Sequence, residues 1–160
     1  MMEKTGRRHM TGDFQFARFS LGGREFGIEL RNVKEIIRLR KAERPPDCPP
    51  FLEGFINLRS IAVPVIDLRK RFSLPAVSLP EARIIIIIVE GLIAGLVVDS
   101  VDDIGAGGTE VAPVFQAFEP WSSCVKSAVE SQGRTILIIN PSVLLTRDEL
   151  LFLCEPIAER

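Results

Sequence analysis

The feature that most constrains the fold of this chain is an internal repeat. When the 160-residue sequence is shifted by 68 residues, glycines fall on glycines and apolar residues fall on apolar residues. The matched pairs are Gly23 with Gly91, Gly27 with Gly95, Ile28 with Leu96, Leu30 with Val98, Val33 with Val101 and Ile36 with Ile104. A shift of 73 residues lays residues 63–67 on residues 136–140, so an apolar run ends in Asp or Asn in both copies. Apolar alternation alone can align two β segments, but we favour two copies of one unit.

The local patterns inside each copy are those of short strands. Gly22 and Gly23 separate two β-rich runs and suit a tight hairpin turn, because glycine adopts positive φ freely. Residues 84–89 are six consecutive β-branched residues, which favours a strand covered on both faces. Further strands are predicted over residues 54–58, 62–68, 92–98 and 134–139, and short helices over residues 33–37, over 68–72 with Asp67 as its cap, and after Asn140-Pro141.

These elements predict an all-β protein with short helices. Small sheets avoid exposed edges by curling closed, so we expect two tandem five-stranded barrels packed side by side. The first barrel is predicted over about residues 14–79 and the second over about residues 80–153 of a domain that starts at residue 13. We expect residues 1–12 and 154–160 to be tails.

Composition narrows the possible functions. The chain has 20 Lys and Arg against 21 Asp and Glu, so its net charge of -1 gives no broad field for nucleic acid or an anionic membrane. Its most apolar segment, residues 84–98, is interrupted by Glu90 and Gly91 and is too short to span a bilayer. The three widely spaced cysteines lack a zinc-ligand pattern and predict reduced thiols in a cytoplasmic protein.

Few residues suggest catalysis. The single histidine, His9, lies in the predicted tail, and the glycine-rich stretch 105–108 is followed by no cation that could meet a phosphate. We expect that stretch to be a turn and the pair Asp102-Asp103 to be solvated loop charge. A small enzyme that uses Cys48 or an acid pair, and a two-barrel nucleic-acid binder, are the alternative hypotheses. We predict no catalytic, metal or cofactor site.

Arg59 is the first candidate for an organising residue. It stands at the corner between two apolar strands, where the five donors of a guanidinium could satisfy several carbonyls or carboxylates. It could equally be an ordinary surface turn residue. Val33 and Ile36 raise a similar question, because apolar residues at this spacing occur both in cores and at interfaces.

Residues 54–69, with the sequence GFINLRSIAVPVIDLR, resemble the signature of the CheW family of chemotaxis coupling proteins, G-x-x-N-L-R-G-x-x-x-P-V-I-D-L-R. Other elements agree in order: Phe26-Gly27-Ile28, Val33-Lys34-Glu35-Ile36, the proline-rich loop with Pro45 and Pro49, and residues 95–101. The resemblance covers roughly residues 14–153 and implies two five-stranded SH3-like barrels. It also implies a non-catalytic adaptor at membrane-associated receptor arrays.

The resemblance implies two protein partners. One barrel would bind the regulatory domain of a CheA-type histidine kinase, and the cytoplasmic hairpin tip of a chemoreceptor would lie in a groove between the barrels. The residues that it implicates in partner binding are Val33, Glu35, Ile36, Gly54, Asn57 and Arg59, with Val98 and Val101 as walls of the groove. It implies no cofactor, nucleic acid or insertion into a membrane.

Two departures from the family pattern stand out. Ser60 occupies a glycine position, so the turn is strained if its φ is positive. Residues 113–132 match poorly and carry Trp121, which could plug a barrel end or anchor a partner.

Overall fold

The computed structural model describes residues 8–111 and 124–154. Ten strands carry most of this part of the chain, with two short α-helices and two single 3-10 turns. In chain order the strands are β1 (Arg8–Leu21), β2 (Arg24–Glu29), β3 (Val33–Arg38), β4 (Gly54–Leu58), β5 (Ile61–Asp67), β6 (Arg83–Val89), β7 (Leu92–Val98), β8 (Ser100–Val111), β9 (Val125–Ser131) and β10 (Arg134–Ile139). The helices are α1 (Leu68–Arg71) and α2 (Arg147–Cys154), and the 3-10 turns are Leu30–Asn32 and Pro141–Val143.

The strands form two five-stranded sheets, which confirms the predicted all-β class. One is a closed barrel with the order β1-β2-β10-β9-β8. The other, which we call the open sheet, has the order β3-β6-β7-β5-β4. Each contains one parallel contact, β2 with β10 in the barrel and β5 with β7 in the open sheet, and its other contacts are antiparallel.

The internal repeat appears in the pairing register. Gly27 lies opposite Ile138 in the barrel, and Gly95 lies opposite Val65 in the open sheet. These two pairs superimpose under the sequence shifts of 68 and 73 residues. Asp67 and Asn140 are also equivalent, because each side chain accepts a hydrogen bond from the backbone N–H two residues later. The repeat is therefore a structural repeat.

The predicted division into barrels at residues 79 and 80 is wrong. The open sheet takes all its strands from residues 33–98, and the barrel takes its strands from residues 8–29 and 100–139. Each sheet thus combines the first two strands of one repeat with the last three strands of the other. The chain crosses between the sheets at Leu30–Asn32 and at Asp99. It does so because each parallel contact, β2 with β10 and β5 with β7, joins a strand of one repeat to a strand of the other.

Three further local predictions need correction. Residues 33–37 form strand β3, because the apolar residues alternate between two faces and pair with the β-branched run of β6. Strand β1 begins at Arg8, inside the predicted tail of residues 1–12, because it pairs with β8 as far as Glu110. Residues 102–108 also belong to β8 and are neither a loop nor a turn.

Helix α2 ends at Cys154, the first residue of the predicted C-terminal tail. Residues 155–160 and Trp121 lie outside the described residues.

The largest apolar cluster joins the two sheets. Phe19, Phe26 and Ile28 of the barrel contribute to it together with Ile85 and Leu96 of the open sheet, and all five are at most 1% exposed. The Phe19 and Phe26 rings stack at 5.7 Å between centroids, and Phe26 meets Phe72 after α1 at 6.0 Å. Burial at this scale fixes the two sheets against each other, so surfaces on both sheets keep a defined relation. We call this cluster the inter-sheet core.

Candidate functional site

The two edges of the open sheet, β3 and β4, face each other across a gap that we call the seam. A single pair of backbone contacts bridges it: Glu43 and Phe55 exchange N–H to carbonyl hydrogen bonds, both of 2.8 Å. Towards the other end, Arg40 Nη1 donates to the Asn57 carbonyl at 3.0 Å. Side chains therefore continue the pairing where the backbone ladder stops.

The last contact across the seam joins Glu35 and Arg59. Arg59 Nη1 donates to Glu35 Oε2 at 2.6 Å, and Nη2 donates to Oε1 at 2.9 Å. The hydrogen bonds from Arg59 lower the pKa of Glu35, and the carboxylate raises the pKa of Arg59 in turn. A bidentate pair of this kind fixes the orientation of both groups. Arg59, which we predicted to be an organising residue, thus pairs with one carboxylate, while 67% of its side chain remains exposed.

The turn that presents Arg59 has an unusual backbone. Arg59 and Ser60, which connect β4 to β5, have φ values of 50° and 71°. Two consecutive positive φ values are those of a type I′ hairpin turn, for which glycine is favoured at the second position. The Ser60 N–H donates to Asn57 Oδ1 at 3.0 Å, which holds the turn closed. Ser60 is therefore strained as predicted, and Asn57 supports the turn.

Gly54 has a different role from its neighbours in the motif. It is buried, its φ is 140°, and a Cβ atom there would lie 2.4 Å from the Glu43 carbonyl oxygen. Only glycine lets β4 approach the Glu43 backbone closely enough for the bridge to Phe55. Gly54 is thus a residue that closes the seam and offers no surface to a partner.

Isoleucines are exposed at the end of the open sheet that carries the turns Arg59-Ser60 and Glu90-Gly91, which we call the turn end. Ile61 is 50% exposed and Ile88 is 39% exposed. Side chains alternate between the two faces of a strand, so Ile61 shares the face of Val63 on β5 and Ile88 shares the face of Ile86 on β6. Val63 and Ile86 belong to one buried apolar cluster, and the two exposed isoleucines continue its face to the end of the sheet. Neither residue stood out in the sequence, because each lies within an apolar strand.

The equivalent end of the closed barrel is charged. The repeat places Arg134 at the position of Ile61 and Ser20 at that of Ile88. Arg134 contacts Glu25 at 3.1 Å and Ser20 Oγ donates to Asp102 at 3.3 Å. Since the fold accepts charge at this place, exposed isoleucine at the turn end is not required for folding.

A second group of predicted residues lies at the inter-sheet core. Val33 and Val101 are half-buried and pack against it from β3 and β8. Beyond them Ile36 and its repeat equivalent Ile104 are 37% and 47% exposed. We call these four residues the rim. Val98 is only 1% exposed, so it belongs to the core and offers no wall to a groove.

A charged cluster that we did not predict joins the sheets at the Asp99 crossover. Asp99 accepts hydrogen bonds from Arg69 Nε at 2.7 Å and Nη2 at 2.8 Å, and from the Gly22 N–H of the β1–β2 turn at 2.9 Å. Burial alone would raise the pKa of Asp99, but the hydrogen bonds from Arg69 and Gly22 outweigh it and lower the pKa. Arg69 and Asp99 both lie in segments that resemble the family pattern, and this resemblance is the signal by which the sequence could have indicated the cluster.

Within residues 8–111 and 124–154 no helix is long and apolar enough to cross a membrane. The same residues contain no group of three or more His, Cys, Asp and Glu side chains that could hold a metal ion.

Comparison with known proteins gives consistent matches. Residues 15–149 match the model of the CheW-like domain. The chain is 32% identical over 133 residues to the chemotaxis protein CheW of Bacillus subtilis, covering 81% of this chain and 85% of that protein. It is 34% identical over 149 residues to the chemotaxis protein CheW of Rhizobium meliloti, covering 89% and 94%. The crystal structure of the scaffolding protein TtCheW from Thermoanaerobacter tengcongensis superimposes with a TM-score of 0.69 at 29% identity, covering 79% of this chain and 88% of that one.

Proposed function

Because this chain belongs to the CheW-like domain family, we propose that it is a non-catalytic chemotaxis scaffold that couples chemoreceptors to a CheA-type histidine kinase. The observation that carries the proposal is the family match over residues 15–149, which includes the seam, the turn end and the rim. We further propose that it works in the cytoplasm, recruited to membrane-associated receptor arrays.

We assign the kinase contact to the turn end of the open sheet. Ile61 and Ile88 offer an apolar centre there, and the Arg59–Glu35 pair offers a charged border. An apolar patch surrounded by polar groups is typical of a protein interface. A kinase regulatory domain that is itself built from barrels could bury this patch against an apolar end of its own. Glu35, Asn57 and Arg59 would then act at the kinase contact, with Gly54 acting through the shape of the seam.

We assign the receptor contact to the rim. Val33 and Ile36 come from β3, and Val101 and Ile104 come from β8, so residues of both sheets contribute. The exposed Ile36 and Ile104 could receive the apolar face of a receptor hairpin tip, and the half-buried valines would support them. Contacts of this size are weak singly and gain strength when many act together in an array.

The experiment is a capture assay with separated surfaces. Immobilised protein is incubated with the cognate kinase regulatory domain and, separately, with a cytoplasmic receptor tip fragment. Ile61→Asp should lower kinase capture by about tenfold and leave receptor capture unchanged, whereas Ile36→Asp should do the reverse. Leu151→Asp is a matched control, since Leu151 is 59% exposed but lies on α2, outside both surfaces. Failure of the unmodified protein to capture either partner would refute the proposal.

A further inference from the structure

Strand β3 and its surroundings carry cations that form no ion pair with a carboxylate, although Lys34 interacts electrostatically with its neighbour Glu35. Within residues 8–111 and 124–154, Arg18, Arg31, Arg59, Arg69, Lys70, Arg71, Lys126 and Arg134 each lie within ion-pair distance of a carboxylate. In the same ranges no such contact is made by Arg40, Arg44 or Arg147, nor by Lys34, Arg38, Lys41 and Arg83, which lie on β3, just after it or on its neighbour β6. We call these four residues the basic stripe. Its charge stands out because the whole chain has a net charge of only -1.

Two members of the stripe oppose each other directly. Arg38 on β3 is in register with Arg83 on β6, on the face that also carries the neighbouring pair Ile36 and Ile85. Like charges placed directly opposite on antiparallel strands destabilise a sheet. The Arg83 guanidinium donates to the Ala82 carbonyl at 2.9 Å, which orients it without neutralising its charge. The sheet therefore keeps an arrangement that costs stability.

The fold does not require this arrangement. Under the repeat, Arg38 corresponds to Ala106 and Arg83 corresponds to Gln15, and these two residues are in register with each other in the closed barrel. The same position in the same kind of sheet is thus occupied by an uncharged pair. The chain thus keeps two opposed arginines, which lower its stability, at only one of two equivalent places. A residue pair kept at a cost in stability indicates a role in binding another molecule.

The composition of the stripe indicates what binds it. Ile36, 37% exposed, lies between Lys34 and Arg38 on one face of β3, and Leu39, 50% exposed, lies between Arg38 and Arg40 just after the strand. The line continues towards a cleft of about 660 Å3 that Leu39, Lys41 and Val77 help to line. Cations interleaved with exposed aliphatic side chains suit a protein segment with acidic and apolar residues. Single-stranded nucleic acid would instead call for aromatic residues on which bases stack, and the stripe contains none.

We propose that the basic stripe recognises an acidic, amphipathic segment of the receptor's cytoplasmic tip, whose carboxylates face Arg38 and Arg83 while its apolar residues cover Ile36 and Leu39. This inference rests on the proposed function, because it names the chemistry by which one proposed partner is bound. The receptor is the partner chosen because the stripe is continuous with the rim through Ile36. Bound carboxylates would also remove the repulsion between the two arginines, so binding would stabilise the open sheet.

The test separates stability from binding. Arg83→Glu places a carboxylate opposite Arg38, so the thermal midpoint should rise by about 1–3 °C. The same substitution should weaken binding of the receptor tip fragment by about five- to tenfold at about 50 mM salt and flatten its salt dependence up to about 300 mM. A purely structural role predicts no loss of binding from a variant that is more stable. Arg147→Glu, on the exposed start of α2, is the control with the same change in net charge and should leave receptor binding unchanged.

Each outcome has one meaning. Equal receptor binding by Arg83→Glu and the unmodified protein overturns the inference, while kinase capture by the unmodified protein still supports the proposed function. Kinase capture without any receptor binding also overturns it. If the unmodified protein, but not Arg83→Glu, binds vesicles of equal parts phosphatidylglycerol and phosphatidylcholine or a single-stranded oligonucleotide, and receptor binding is unaffected, the stripe belongs to that ligand and the inference is wrong. Capture of neither protein partner is the failure of the proposed function itself.

Discussion

Arg59 on the β4–β5 turn donates to both carboxylate oxygens of Glu35 on β3, at 2.6 Å and 2.9 Å. The two residues are 24 positions apart and belong to opposite edges of the open sheet. Their pairing holds the turn beside β3 at the place where the backbone ladder of the seam is interrupted. Arg59, which would border the kinase contact, therefore also helps to close the open sheet.

Replacing Arg59 by Gln should raise the pKa of Glu35 towards its ordinary value, because the hydrogen bonds that lower it are lost. A carboxyl whose pKa is lowered on folding contributes stability above its unfolded pKa, and this is lost as the pH falls through the folded value. The measurement is an NMR titration of the Glu35 carboxyl carbon. Arg134→Gln, which removes an exposed arginine from Glu25, is the control and should leave the Glu35 titration unchanged. An unchanged pKa of Glu35 in Arg59→Gln would contradict the pairing of Glu35 with Arg59.

The repeat and the strands could be predicted from the sequence because their signals are local. Glycine pairs mark the hairpins, β-branched runs mark buried strands, and Asp67 and Asn140 cap the turns that follow β5 and β10. The exchange of strands between the repeats could not be predicted in this way. Which strand lies beside Gly27 or Gly95 depends on long-range packing, and the two possible pairings bury similar apolar residues.

The sequence indicated candidate site residues where a motif placed a charged residue at a turn, as at Arg59. Glu35 and Arg59 pair across the seam and Asn57 supports the turn that carries Arg59, although nothing in the residues alone specified these contacts. Val98 lies in the inter-sheet core because an apolar strand residue has the same local signal whether it faces the core or a groove. The turn end was missed for the same reason, since Ile61 and Ile88 differ from their buried neighbours only in position.

Ser60→Gly should stabilise the protein by about 0.5–1 kcal/mol. Removing the Cβ relieves the left-handed strain at a φ of 71°, and the greater freedom of glycine in the unfolded chain offsets part of the gain. The measurement is the free energy of unfolding from urea titration. Ser78→Gly, at an exposed serine without positive φ, should be neutral or slightly destabilising. A loss of stability in Ser60→Gly would show that the serine side chain contributes something that outweighs the strain.

Gly54→Ala should destabilise the protein by about 2–4 kcal/mol, because the new Cβ would meet the Glu43 carbonyl oxygen in addition to straining the backbone. Gly23→Ala separates the two effects. Its φ is 81°, but no atom lies within 4 Å of the added Cβ, so only strain of about 1 kcal/mol is expected. Urea titration of both variants gives the difference. Equal losses in the two variants would argue against a close approach at the seam.

Asp99→Asn should cost about 2 kcal/mol at pH 7, because it leaves Arg69 without its carboxylate in a place where only 16% of the arginine side chain is exposed. The pKa of Asp99 is lowered on folding, so its contribution is complete above the unfolded value of about 3.9 and is lost as the pH falls through the folded value. Urea titrations should therefore show the two proteins converging as the pH falls from about 5 towards about 3. Asp103→Asn is the matched control, since Asp103 also accepts from an arginine at 2.9 Å but is 59% exposed, and its cost should stay below about 1 kcal/mol. A difference between the unmodified protein and Asp99→Asn that does not change with pH would contradict a role for the charge of Asp99 in joining the sheets.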